Sequence, residues 1–266
     1  MILTSLQNDR VKSIVRLRER RDRDREGMML IEGYRSLIRA VDNGVFPKEV
    51  YTCPGFYLGD NEDALVERCR AAGAAIFQCT PPVFQKMSYR ERPEGLLAVA
   101  PYLNRKLDDL KLGPSPLLIV AQSIEKPGNL GTIIRSADGT GADALILCDR
   151  CTDLWNPNVI TASTGMCFAL PIAEAGTNDT LKWLKSRGIA ILSATPHATT
   201  MYTDVDMTGP VAVVVGAEQY GLTEEWMKES TINVRIPMLG KADSLNVATA
   251  TTLILYEAVR QRGRRG

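Results

Sequence analysis

Leu117-Leu-Ile-Val-Ala-Gln-Ser-Ile-Glu-Lys-Pro-Gly-Asn-Leu-Gly-Thr-Ile-Ile-Arg-Ser-Ala-Asp138 is the stretch on which the fold of this 266-residue chain turns. Its first five residues are an unbroken apolar run, the pattern of a parallel strand covered on both faces. Pro127, Gly128 and Gly131 then bracket a turn, and Asn129, a good N-cap residue, opens a helix expected to reach Gly139. Strand, loop and helix in this order form the repeating unit of an α/β sheet, whose ligands sit beyond the carboxyl ends of the strands.

Toward the C-terminus the same alternation continues. Strands are expected at Ala144–Cys148, Ile189–Ser193, Val211–Val215 and Ile232–Ile236, with helices at Thr180–Lys185, Thr223–Glu229 and Ser244–Arg260 between or after them. Residues 117–266 thus read as one α/β domain with a mostly parallel sheet. Toward the N-terminus, residues 1–101 form a smaller α/β unit: strands at Met28–Glu32, Glu49–Thr52, Ala75–Gln78 and Gly95–Ala100, helices at Tyr34–Val41 and Ala64–Ala72. Pro101, Gly113, Pro114 and Pro116 mark 102–116 as the linker.

Composition removes several functions. A chain that is 45% hydrophobic and 24% charged is globular rather than disordered or collagenous. One histidine, His197, leaves no material for histidine-rich zinc or iron sites and little for histidine-based proton transfer. Of six cysteines only Cys148 and Cys151 have metal-type spacing, and a lone C-x-x-C lacks the four ligands of tetrahedral zinc, so no metal is expected. The longest apolar runs are of strand length and the N-terminus has no hydrophobic signal segment, so the expectation is a cytoplasmic protein. Net charge is +1, but eight basic residues against four acidic ones crowd 10–26, and four arginines fall in the last seven residues. The basic segment 10–26 is either a solvated helix with internal ion pairs or a phosphate-contacting surface.

Three loops that follow strands share an unusual composition. The first, 125–138, holds Asn129 and Arg135; its glycines do not complete a dinucleotide fingerprint, and no P-loop occurs anywhere in the chain. The second, Val215-Gly-Ala-Glu-Gln-Tyr-Gly-Leu-Thr223, puts Glu218 in the turn itself rather than in the first turn of a helix, where a carboxylate would suit the dipole. In the third, 236–250, Ser244 is expected to cap a helix, with Asn246 next among small and apolar neighbours; a buried Asn there must tie loop to helix or face a ligand.

Taken together, Pro127-Gly-Asn-Leu-Gly-Thr-Ile-Ile-Arg135, Val215-Gly-Ala-Glu-Gln-Tyr-Gly-Leu222 and Ile236-Pro-Met-Leu-Gly240 with Ser244-Leu-Asn-Val247 resemble the three motifs of the SpoU/TrmH family, RNA 2′-O-ribose methyltransferases of the SPOUT superfamily. Ala162–Pro171 is similar to the family's connecting segment. Ala248-Thr-Ala stands where a Ser-Val-Ala run is common, and Thr164 where Ala is usual. The likeness covers Leu117 to Arg260; the N-terminal unit resembles the ribosomal-protein-like RNA substrate-binding domain often placed ahead of this one.

The resemblance implies a trefoil-knotted α/β domain, a homodimer, and S-adenosyl-L-methionine as methyl donor to a ribose 2′-hydroxyl. It assigns Asn129, Arg135, Glu218, Ser244 and Asn246 to catalysis, and Thr195, Gly216, Ile236, Met238 and Leu245 to cofactor binding. The extra N-terminal unit points to ribosomal RNA, at a housekeeping or antibiotic-resistance site of 23S rRNA. A tRNA 2′-O-methyltransferase and a non-catalytic RNA-binding or assembly factor of the same fold are the alternatives.

Overall fold

The computed structural model describes residues 2–263, which fall into two compact units: one runs to Leu103 and takes in Asp153–Ala169, and the other comprises Asn104–Thr152 and the chain from Leu170 onward. The first unit carries strands β1 (Ile2–Leu3), β2 (Met28–Glu32), β3 (Glu49–Thr52), β4 (Ala75–Cys79) and β5 (Leu96–Pro101) in the order β1-β4-β3-β5-β2. β4 pairs in parallel with β1 and β3, whereas β5 runs antiparallel to β2 and β3. Its helices are α1 (Asp9–Arg16), α2 (Arg20–Glu26), α3 (Tyr34–Asp42), α4 (Glu62–Ala71), α5 (Pro81–Met87) and, from the later segment, α7 (Pro157–Ala162).

The basic segment is not a uniformly solvated face. Asn8 caps α1 by accepting from the Arg10 amide, and Val11, Ile14 and Leu17 bury one stripe of the helix. Arg18 donates to the carbonyls of Lys86 and Ser88. Arg23 is 1% exposed; its Nε and Nη2 lie 3.1 and 2.6 Å from Asp153 Oδ2, and its Nη1 donates to the carbonyls of Leu17 and Arg18. Asp153 opens the stretch in which Trp155 and Phe168 stack at 6.1 Å and Leu154, Val159 and Ile160 are buried. Of the basic C-terminal residues, Arg260 pairs with Glu257 and Arg262 donates to the carbonyls of Met207, Ser115 and Gly209, so both serve the fold; Arg264 and Arg265 lie outside the described residues.

The second unit is built on seven parallel strands: β6 (Leu117–Gln122), β7 (Ala144–Cys148), β8 (Ile172–Ala175), β9 (Ala190–Ala194), β10 (Thr200–Met201), β11 (Val211–Val215) and β12 (Ile232–Arg235). Their order is β10-β12-β9-β11-β6-β7-β8. From β6 the chain steps outward to β7 and β8, then crosses to β9 on the other side and later returns β11 to β6's free edge, Val211 opposite Leu117 and Val215 opposite Ala121. Strand order therefore reverses beside β6, and a crevice opens at such a point. Helices α6 (Pro127–Gly139), α8 (Thr177–Ser186), α9 (Glu224–Glu229) and α10 (Val247–Gln261) connect or follow the strands. The stretch 102–116 contributes Leu107 and Leu110 to this unit's core.

Several helices start away from the expected residue, α8 at Thr177 rather than Thr180 and α4 at Glu62 rather than Ala64 among them, and two of these shifts bear on the site. α6 begins at Pro127, because proline fits the first helical position, where no amide donor is needed; Asn129 is thereby moved into the first turn. α10 begins at Val247 and is capped by Asn246, whose Oδ1 accepts from the amides of Ala248 and Thr249 at 3.0 and 3.4 Å; Ser244 lies in the exposed loop before it. An amide side chain and a hydroxyl both cap well, and here the residue nearer the apolar stripe of the helix takes the position.

Candidate active site

The loops that leave β6 and β11, neighbours at the strand-order reversal, carry the first two groups of candidate residues. After β11 the chain folds sharply back: the Ala217 carbonyl accepts from the Gly221 amide at 2.9 Å, and Gly221 has φ +68°. A Cβ on Gly216 would stand 2.4 Å from the Gly221 carbonyl carbon and oxygen, so only glycine permits this turn. The turn leaves Glu218 facing the start of α6. Lys126 Nζ and Asn129 Nδ2 each donate to one of its two carboxylate oxygens.

The third loop closes the constellation. Asn246 Nδ2 donates to Asn129 Oδ1 at 3.1 Å while its own oxygen caps α10. Every amide orientation is fixed by this chain, since Glu218 can only accept, Asn129 must turn its nitrogen to Glu218, and Asn246 must turn its nitrogen to Asn129. α10 is held against α6 farther along by the Ser136 and Thr252 hydroxyls, 2.7 Å apart. The Glu218 side chain is 19% exposed and that of Lys126 70%. Hydrogen bonding to Glu218, reinforced by its charge, raises the Lys126 ammonium above its ordinary range.

Three of the five expected catalytic residues, Asn129, Glu218 and Asn246, thus meet directly. Arg135 does not join them: it lies six residues along α6 from Asn129, exposed, with no side-chain hydrogen bond or ion pair among the described residues. Ser244 is likewise exposed and makes no side-chain hydrogen bond among the described residues. Lys126 was not among the expected residues; a lysine in an exposed loop gives no signal in the sequence, and only the fold brings it to Glu218, 92 positions away.

The residues expected to hold the cofactor follow neighbouring strands. Thr195 comes directly after β9, its amide bonded to the Val234 carbonyl at 2.9 Å and its hydroxyl accepting from the His197 amide at 3.3 Å. Gly216 comes directly after β11, and Ile236 directly after β12, partly exposed like Met238. Leu239 is 97% exposed and Leu245 36%. Among the described residues, 237–245 make no backbone hydrogen bond, which leaves peptide donors and acceptors open beside apolar side chains. Cys148 is buried 3.3 Å from the Thr177 hydroxyl, and burial pushes its thiol up to about 11.

Residues 116–256 match the SpoU rRNA Methylase family, over the span that supplies every residue of the constellation. The chain belongs to the SpoU rRNA methylase family. Residues 8–98 match the MRM3-like substrate binding domain. The SpoU-family chain is 32% identical over 255 residues to the 23S rRNA (uridine(2479)-2′-O)-methyltransferase of Streptomyces viridochromogenes, covering 92% of this chain and 87% of the relative. It is 38% identical to a crystal structure of an RNA 2′-O ribose methyltransferase, with a TM-score of 0.86 over 99% of this chain and 100% of that one. An AdoMet-bound rRNA methyltransferase from Sinorhizobium meliloti is 31% identical, with a TM-score of 0.90 over 98% of this chain and 97% of its own.

Proposed function

We propose that this chain transfers the methyl group of S-adenosylmethionine to a ribose 2′-hydroxyl of ribosomal RNA, in the cytoplasm. The observation that carries the reading is the constellation Lys126, Asn129, Glu218 and Asn246, drawn from three loops at the carboxyl ends of parallel strands. The residues around it suit the cofactor. The loop 237–245 offers unpaired peptide groups among the apolar side chains of Met238, Leu239 and Leu245, and such a lining takes an adenine face with its polar edge.

The cofactor, when bound, supplies an activated methyl carbon. The chain's own task is then alignment, which provides much of the acceleration when two reactants are held in register. Glu218 and Asn246 fix the Asn129 amide on both sides, so Asn129 presents a rigid edge to an acceptor ribose. Arg135 has side-chain donors with no partner among the described residues. A guanidinium stays protonated near neutral pH, so Arg135 is a donor to the ribose or an adjacent phosphate oxygen rather than a proton acceptor. Ser244, in the open loop, is assigned a contact with the same substrate group. Thr195, Gly216, Ile236, Met238 and Leu245 are assigned to the cofactor.

A homodimer is part of the proposal: Leu253 and Tyr256 on α10 are 40% and 52% exposed, an apolar strip suited to a second copy. Light scattering at micromolar concentration should give twice the chain mass.

The test of function is to incubate the protein with labelled S-adenosylmethionine and, separately, ribosomal RNA and tRNA, then map alkali-resistant linkages, since a 2′-O-methyl group blocks cleavage. Label at one position of large-subunit RNA is the expected outcome. Label in tRNA alone would move the substrate, and no label in any RNA from protein that binds the cofactor would remove the enzymatic reading.

A further inference from the structure

Beneath the open constellation lies a second polar cluster that no expected residue accounts for. Gln122, the last residue of β6, is 1% exposed. Its Oε1 accepts from the Thr223 amide at 3.2 Å, and its Nε2 lies 3.1 Å from Asp149 Oδ2, 3.2 Å from Thr177 Oγ1 and 3.2 Å from Thr223 Oγ1. Thr177, the first residue of α8, donates from its amide to Asp149 Oδ1 at 3.1 Å and from its hydroxyl to Asp149 Oδ2 at 2.5 Å, and accepts from Trp226 Nε1 at 3.1 Å.

The directions of these bonds leave no freedom. Burial raises the Asp149 pKa, but hydrogen bonds from Thr177 and Gln122 outweigh it and hold the carboxyl below the usual range, so the group is an acceptor only. The Thr177 hydroxyl must then donate to Asp149 and accept from Trp226, and Gln122 must turn its nitrogen to that side and its oxygen to the Thr223 amide. Thr223 stands at the N-cap position of α9 yet caps nothing with its side chain; its hydroxyl faces Gln122 instead.

The position of the cluster gives it a role. Gln122 is four residues before Lys126 on the β6 loop, and Thr223 closes the β11 loop that began at Gly216 and holds Glu218. One side chain therefore ties the root of one loop to the far end of the other. We infer that Gln122 is a positioning residue for methyl transfer: it fixes the loop 216–223 against the loop 123–129, so that Glu218 meets Lys126 and Asn129. The inference rests on the proposed reaction for its consequence, and on geometry alone for the coupling of the loops.

The experiment uses the full chain with Gln122→Leu and Gln122→Glu, each checked for a cooperative melt. Amide hydrogen exchange on the free protein reads the coupling without any reaction. In Gln122→Leu, exchange at 216–223 should quicken about tenfold while strands β6 and β11 stay protected, the effect of losing one buried hydrogen-bonded contact. Methyl transfer should fall about tenfold in kcat with KM for RNA little changed. Gln122→Glu is diagnostic because it is isosteric but ionisable. The titratable groups facing it are Asp149, directly, and the Cys148 thiol, through Thr177, and the thiol stays neutral. As an anion the introduced carboxylate repels Asp149 and has no donor; protonated, it regains both roles. The kcat of Gln122→Glu relative to the parent should therefore recover as pH falls, whereas the Gln122→Leu ratio should stay flat. Unchanged exchange at 216–223 in both variants would overturn the coupling. A wild type that transfers no methyl group while Gln122→Leu still loosens 216–223 would sink the reaction and leave the coupling standing. Should Gln122→Leu fail to melt cooperatively, Thr223→Val, which removes only the outer hydroxyl, must loosen 216–223 by a smaller factor, or the inference fails.

Discussion

Two arginines show how differently the same side chain is used in the two units. Arg23 sits in the most basic segment of the chain and is sealed: four hydrogen bonds engage its guanidinium, two of them to the buried Asp153. Arg135 stands on α6 within a few residues of the candidate active site and has no protein partner among the described residues. A buried guanidinium must be neutralised and fully hydrogen-bonded, whereas an exposed one on a site's margin keeps its donors for whatever arrives. Charge density along the sequence is thus a poor guide to where charge is available; partner count in the fold is the better one.

The comparison breaks most readily at Asp153. Asp153→Ala leaves Arg23 buried without its counter-ion and should cost about 3–5 kcal/mol in a denaturant titration. Loss of less than about 1 kcal/mol would mean water reaches Arg23 and the pair is not sealed. Arg135→Ala should do the opposite: stability within about 0.5 kcal/mol of the parent, with methyl transfer reduced about 100-fold, or roughly 2.7 kcal/mol in barrier, and cofactor affinity unchanged. Near-normal turnover would remove Arg135 from the reaction. Asn246→Ala combines both kinds of effect, because it removes the α10 cap and the Asn129 contact together; a stability loss of about 1 kcal/mol is expected, with a larger fall in kcat than in KM. The smallest effect concerns the basic segment itself. Arg16→Ala and Arg21→Ala, at exposed positions outside the ion pairs described for this segment, should each lower the slope of log affinity for RNA against log salt by about one. An unchanged slope returns the segment to a purely structural role.

The parallel sheet was readable because its strands are runs such as Val211–Val215 that no amphipathic helix would show, and each is followed by a glycine-containing loop or a turn. The strands missed were β8, four residues next to a proline, and β1 and β10, two residues each at a sheet edge; none is long enough to carry a period. In the site, Asn129 stood out as a cap residue between glycines, Glu218 as a carboxylate in a turn with no helix dipole to favour it and Asn246 as a polar residue among small and apolar neighbours, and the resemblance of their loops to the three family motifs put them in one site. Lys126 and Gln122 did not stand out. A lysine in an exposed loop and a glutamine closing a strand look ordinary until the neighbouring strand brings Glu218 and Thr223 against them, and adjacency of β6 and β11, far apart in sequence, is a tertiary fact. The same limit explains Ser244, whose type suited a cap that the fold gives to Asn246.

Asp153 lies 130 residues after Arg23, with the first strands and helix of the methylase framework begun in between. The order of synthesis then matters. When residues 1–103 have left the ribosome, Arg23 has no carboxylate to close on, and the pocket for Trp155 and Phe168 is unfilled. The N-terminal unit is completed only after the chain has passed residue 169, so the first unit to be made is not free to be the first to finish. An excised fragment ending near residue 101 would carry the same vacancy permanently, and a faithful version of this unit needs the later segment supplied with it.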